Sequence, residues 1–234
     1  MFDNLGRQIY TALIADQRWL MLLNGLKTTL IIAFFAVIIG VAIGTLVAIV
    51  KVSSVMNPRS KFWRVLNSLC NVYINVIRGT PMVVQLLISY FIIFVSVTNA
   101  VVIAIFAFGL NSGAYVAEIM RAGIMAVDRG QTEAGRSLGL SGAQTMKSIV
   151  LPQAVKNILP ALGNEFITLL KETSIAGYVA IQDLTKAGDR IRFSTYDAFV
   201  PLLIVAAIYL VMVLGLSALV GRLERRLSKG DRRN

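Results

Sequence analysis

Glu165, Thr168 and Glu172 fall at i, i+3 and i+7, a spacing that places three side chains on one face of a helix. They lie in an otherwise apolar stretch from Ala154 to about Ile181, which also holds Asn164 and Lys171. Two carboxylates, a hydroxyl and an amide so arranged suit a polar cavity that accepts an ammonium or guanidinium group. Glu118, in a second apolar stretch, is a further candidate for the same path. The competing chemistry is internal pairing: Glu118 with Arg121 at i+3, and Glu172 with a cation of a neighbouring helix. Lys171 and Arg78 can hold a carboxylate or sit at the cytosolic interface. A charge at the centre of a bare transmembrane helix costs roughly 3 kcal/mol on insertion scales, so an unpaired one facing lipid is disfavoured.

Covalent and metal chemistry find little support. The chain has no histidine, which excludes imidazole relays and histidine metal sites, and its lone Cys70 gives no disulfide framework. No nucleophile–base pair, metal cluster or carboxylate dyad stands on a defined scaffold. There is no Gly-Lys dipeptide, so a phosphate-binding loop of the form G-x-x-x-x-G-K-[ST] is absent and the chain has no such site for nucleotide hydrolysis.

These residues must be positioned by membrane-embedded helices. The sequence is 56% hydrophobic with mean hydropathy +0.73. Thr28 to Val50 is a run of 23 uncharged residues, enough to span a bilayer. Gly79 to Ala117 is a run of 39, too long for one span at about 1.5 Å per residue, and the polar point Ser96–Asn99 divides it into a hairpin of two spans. Ala198 to Gly221 supplies 24 more. With the Glu165 stretch, buried by its neighbours, that makes about five spans in an all-α integral membrane fold. Sixteen of the 23 Lys and Arg residues follow the first span, surround the segment at Glu133 or close the chain. The positive-inside rule places all three groups in the cytoplasm, leaving the N-terminus and the uncharged Ser96–Asn99 turn outside. The expected organisation is an extracytoplasmic segment 1–27, a transmembrane domain 28–221 with a cytoplasmic loop 128–153, and a basic cytoplasmic tail 222–234. No cleavable signal is evident, since the first apolar run begins late and is long enough to remain as a span. The net charge of +11 flanks hydrophobic spans without forming a patch with interleaved aromatics, which suits membrane lipid and argues against nucleic acid.

Between spans lies a polar, turn-rich segment: Glu133, Ala134, Gly135, Arg136, Ser137, Leu138 and Gly139, ending at Ile149-Val150-Leu151-Pro152. Asp128 can cap a first short helix, and Gly139 offers the left-handed residue that ends it. Gly135 inside that helix costs roughly 1 kcal/mol relative to alanine, leaving it more dependent on a partner for order. Ser141 and Gln144 read as a capping box opening a second helix, with Met146, Ile149 and Val150 on one face. Pro152 disfavours helical geometry at Leu151 and marks a boundary. Pro81, after Arg78-Gly79-Thr80, marks a helix start or kink. Gly40-x-x-x-Gly44 and Gly109-x-x-x-Gly113 permit close helix approach, within one subunit or between two.

The pattern Glu-Ala-Ala-x-x-x-Gly, nine residues, then Ile-x-Leu-Pro is the signature of ABC importer permeases. This chain resembles it at Glu133, Ala134, Gly139, Ile149, Leu151 and Pro152, with Gly135 where the pattern has its second alanine. Arg78–Pro81, Asn111–Glu118, Gly163–Phe166 and Lys171–Ser174 are similar to the polar amino acid branch, the histidine/glutamate/glutamine/arginine/opine permeases, over about Leu22 to Leu219. The resemblance implies a type I importer: two permease subunits, identical or paralogous, two cytosolic ATPase subunits carrying ATP and Mg, an extracellular or periplasmic solute-binding protein, and an amino acid substrate. It implies a bacterial plasma (inner) membrane location and no cofactor on this chain. The Glu133–Gly139 segment would then be the coupling helix that docks in a cleft of the ATPase, supported by Ser141, Gln144, Ile149, Leu151 and Pro152. A permease for another small solute, such as an opine or a sulfur compound, is the alternative. A secondary transporter fits less well, because no inverted repeat with paired interrupted helices is visible.

Overall fold

The computed structural model describes residues 2–228, which are helical almost throughout, with no strand among them. Met1 and Lys229–Asn234, and with them the expected basic residues Lys229, Arg232 and Arg233, lie outside the described residues. The helices are α1 (Phe2–Leu13), α2 (Arg18–Met56), α3 (Lys61–Gly79), α4 (Met82–Ile88), α5 (Ala100–Met125), α6 (Arg129–Ser137), α7 (Gly142–Thr145), α8 (Leu151–Glu172), α9 (Leu184–Thr195) and α10 (Phe199–Ser228). α4 runs into a π-helical turn, Ser89–Ile93, and a second π-helical turn, Met146–Val150, joins α7 to α8.

α2, α5 and α10 are long and apolar enough to cross a bilayer. α2 and α10 leave Phe34, Phe35, Leu46, Leu210 and Val211 exposed, as helices facing hydrocarbon do. α2 begins at Arg18, ten residues before the uncharged run, so part of the expected segment 1–27 is membrane helix. α3 with α4 and its π turn forms a further broken span or a re-entrant loop. The break is at Thr80 (φ −120°, ψ 146°) and Pro81 (φ −64°, ψ 135°), both extended. Residues 94–99 then turn the chain where the hairpin between Gly79 and Ala117 is expected, its first helical arm, Met82–Ile93, being about 18 Å long at 1.5 Å per residue. Proline fixes φ and removes an N–H, and the residue before it avoids the helical region, so α3 does not continue into α4 as one helix. α8 has 22 residues, about 33 Å and long enough to cross, but carries Lys156, Glu165, Lys171 and Glu172.

The chain divides into two compact units. The first comprises residues 1–36, 81–108 and 167–216. Its core joins Ala12 and Leu22 to Leu184, Ala187 and Ile191 of α9 and Val200 and Val205 of α10. Thr29, Thr173 and Asp183 are fully buried there. Each has a partner: Leu184 N–H donates to Thr29 Oγ1 at 3.1 Å, Thr173 Oγ1 donates to the Leu170 carbonyl at 2.7 Å, and Asp183 caps α9.

The second unit comprises residues 37–80, 109–166 and 217–234. Here the glycines of the first apolar run find their use. A Cβ on Gly40 would lie 2.7 Å from Ser112 Oγ, and one on Gly44 2.6 Å from Val116 Cβ, so α2 and α5 approach along Gly40-x-x-x-Gly44 within one chain. Gly113 faces Tyr73 and Ile43 in the same way. The Tyr73 hydroxyl donates to the Leu110 carbonyl at 2.6 Å, which ties α3 to α5.

Candidate functional site

The loop between α5 and α8 is held by local hydrogen bonds at each expected point. Asp128 Oδ1 accepts from Gly130 N–H at 2.7 Å and starts α6. At the other end Gly139 has φ +83°. Its N–H donates to the Arg136 carbonyl at 3.0 Å, and the Leu140 N–H donates to the Gly135 carbonyl at 3.2 Å. Those two bonds satisfy carbonyls that the helix end would otherwise leave open, and the left-handed residue between them suits glycine. Ser141 and Gln144 form the capping box: Gln144 N–H donates to Ser141 Oγ at 3.3 Å, and Ser141 N–H donates to Gln144 Oε1 at 2.8 Å.

Gly135 is the one buried residue of α6. A Cβ there would lie 2.8 Å from both Thr145 Cγ2 and Ile149 Cδ1, so α6 rests on α7 and the following π turn through this glycine. Glu133, Ala134, Arg136, Ser137 and Gly139 are all exposed, and Leu138 is 81% exposed. Leu151 and Pro152 do not interrupt the chain as expected. Leu151 is helical (φ −61°, ψ −43°), and its N–H donates to the Met146 carbonyl, five residues back. The wider π turn ends where Pro152, lacking an N–H, opens the regular ladder of α8, so the proline sits in a first turn that tolerates it.

The acidic candidates separate by environment. Glu118 is held by cations of its own unit: Arg121 Nη2 at 2.9 Å, Lys51 Nζ at 3.3 Å and Arg78 Nη1 at 4.0 Å. The Arg78 guanidinium also lies 5.1 Å from the centre of the Tyr115 ring, within cation–π range. The i+3 pairing with Arg121 is therefore present, and Lys51 and Arg78 join it. Glu165 is half-buried, and Ser112 Oγ donates to its Oε1 at 2.9 Å. Along α8, Asn164 and Thr168 are exposed while Glu165 and Glu172 are half-buried at the edge of that face.

A third charged group lies on α9. Asp189 accepts from Arg192 Nη2 at 2.6 Å and from Lys186 Nζ at 3.3 Å. The hydrogen bond from Arg192 holds its carboxyl below the usual range. Burial pushes the Asp183 carboxyl up, against the N–H bonds it accepts from Thr185 and Lys186. Among the described residues no group of three or more His, Cys, Asp or Glu could hold a metal ion.

Residues 40–229 match the family described as binding-protein-dependent transport system inner membrane component. The chain belongs to that family. It is thus a transport subunit of the inner membrane, not an enzyme, and the ATPase of such systems is a separate chain. The permease is 39% identical to the putative glutamine transport system permease protein of Rickettsia typhi, covering 89% of this chain and 93% of the relative. It is likewise 39% identical to the arginine transport system permease protein of Bacillus subtilis, covering 90% and 94%. A solved structure of an amino acid ABC transporter with histidines is 46% identical, with TM-score 0.81 over 88% of this chain and 94% of that one. The inward-facing MetNI methionine ABC transporter, at 20% identity and TM-score 0.77 over 92% and 99%, shares the fold. The architecture is that of the type I importer permeases.

Three features of the permease were not legible from spacing. Lys51 and Arg78 reach Glu118 from α2 and α3. Ser112, the partner of Glu165, lies 53 residues away in sequence, although a polar Asn111-Ser112 pair inside an apolar run is itself a signal. Thr145 and Ile149 seat Gly135.

Proposed function

We propose that this permease is the membrane-spanning subunit of an ATP-driven importer of polar amino acids, basic ones among them, and that Asp128–Gln153 couples it to the ATPase. The observation that carries the coupling role is the construction of α6. It is capped at both ends, buries only Gly135 against its neighbours, is tied to α8 by the hydrogen bond from Gln153 Nε2 to Gln131 Oε1 at 3.4 Å, and leaves every other residue exposed, with Leu138 just past its end. A helix so polar and so thinly packed is built to be covered by a partner. Family membership and the names of the amino acid transport relatives support the importer role.

The full assembly on this reading has two permease chains, two ATPase subunits that bind ATP and Mg, and an extracytoplasmic solute-binding protein. Closure of the ATPase dimer moves the two coupling loops together and turns the path outward. Asn164, Glu165, Thr168 and Glu172 of α8 line that path. Glu118, already surrounded by cations, positions α2, α3 and α5 without touching the solute. The N-terminus lies outside and the basic C-terminal end lies in the cytoplasm, as the distribution of Lys and Arg favours.

Cysteine scanning in a Cys70→Ser background tests orientation and docking together. Asn99→Cys should react with an impermeant thiol reagent in intact cells. Leu138→Cys should not react, and should cross-link to the ATPase subunit in membranes. Labelling of Leu138→Cys from outside would overturn both.

A further inference from the structure

In the second unit two cavities share a wall. One, of about 410 Å³, is lined mainly by apolar groups and carries Lys51, Ser54, Asn67, Asn71 and Arg121 in its wall. The other, of about 440 Å³, is almost wholly apolar and runs along Ile49, Met120, Val155 and Leu159. Ala48, Val52, Ile124 and Met146 border both. Two adjoining, largely apolar cavities with Lys51 and Arg121 in the wall of one suit an amphiphile with an anionic head.

The charge balance selects the head. Lys51, Arg78 and Arg121 surround the single carboxylate of Glu118, leaving two positive charges in excess. The Lys51 side chain is only 17% exposed, so part of this excess is already out of water. Partly desolvated cations favour a counter-ion. Glu118 is the carboxylate that pairs with these three cations, and among the described residues the cavity that Lys51 and Arg121 line has no acidic lining residue. The helix that supplies Asn67 and Asn71 is itself amphipathic. α3 carries Lys61 and Arg64 in its first turn and exposes Phe62, Val65, Leu69, Val72 and Val76 along one stripe.

We propose that these cavities form a binding site for one anionic phospholipid of the leaflet beside the coupling loop. The phosphodiester meets Lys51 and Arg121, the Asn67 and Asn71 amides reach the headgroup, and an acyl chain fills the apolar cavity. Met146 and Leu151 belong to that apolar wall, so the bound lipid lies against the start of the coupling segment's return helix. The inference takes only the choice of leaflet from the orientation proposed above. Lipid preference is read without it.

Native mass spectrometry of the intact transporter, released from nanodiscs of equal phosphatidylcholine and phosphatidylglycerol, tests the proposal. The wild type should retain phosphatidylglycerol over phosphatidylcholine by a factor on the order of tenfold, as a surface excess of basic charge gives. Val52→Trp fills the shared wall, and Asn71→Asp adds a negative charge to the wall that also carries Lys51 and Arg121 while leaving Glu118 itself in place. Each should bring retention close to parity. Equal retention of both lipids by the wild type, or an undiminished preference in both variants, would overturn the proposal. So would release of the lipid by millimolar inorganic phosphate, which would mark a site for a free anion.

Discussion

Glu165 and Glu118 are both glutamates on apolar helices, yet their surroundings assign them different work. Glu118 is bound by three cations, so it is already neutralised several times over and offers little to a passing solute. Glu165 accepts from the Ser112 hydroxyl and stands at the edge of an exposed polar face. Spacing revealed the i+3 partner of Glu118 and the shared face of Glu165, Thr168 and Glu172, because helical periodicity is local. It did not reveal Lys51, Arg78 or Ser112, whose approach depends on how helices pack. If Glu165 meets a cationic group in a desolvated path, Glu165→Gln removes the charge while keeping shape and hydrogen-bonding capacity. The loss should exceed the roughly 0–1 kcal/mol of an exposed pair. Uptake of arginine by this variant should therefore fall by about tenfold relative to glutamine, the equivalent of about 1.4 kcal/mol, with protein level and basal ATPase unchanged. An equal fall for both solutes would make Glu165 a structural residue.

The coupling loop is the part of the fold most fully written in the sequence. Asp128, Gly139, Ser141 and Gln144 act within a few residues of themselves, so side-chain chemistry alone determined the two caps and the turn. The π turn at Met146–Val150 was not legible, because the extra residue it accommodates answers to the packing of Gly135 against Thr145 and Ile149. Pro152 was misread for the same reason: it opens a helix that the preceding wide turn has already prepared. Gly135, read as a weakness of α6, is its point of attachment. At Gly139 nothing lies within 4 Å of an added Cβ, so a larger residue meets no steric obstacle there and suffers only from the backbone. Gly139→Val should leave insertion and expression intact while uptake is lost, because a β-branched residue resists φ near +83° and the end of α6 must rearrange. Full uptake and full ATPase docking in Gly139→Val would remove the coupling assignment.

At the scale of the whole molecule, hydropathy located the apolar segments but not their ends. The uncharged run from Thr28 understated α2, which starts at Arg18 since a helix continues wherever backbone bonds and packing allow. The run from Gly79 folds back at residues 94–99, at its expected polar point, while Thr80 and Pro81 set its start. α8 is long enough to cross a bilayer but carries four charges, which is tolerable for a helix that lines a polar path and costly for one that faces lipid. Family membership and fold place the chain in an importer, and in such systems the ATPase is a separate chain. Uptake of labelled arginine and glutamine into proteoliposomes tests this most directly, with the permease and its ATPase in the bilayer, the solute-binding protein outside and nucleotide enclosed. Accumulation above the external concentration should require enclosed ATP and Mg and should vanish with a non-hydrolysable analogue. Uptake that proceeds equally without ATP, driven by an ion gradient alone, would contradict the account.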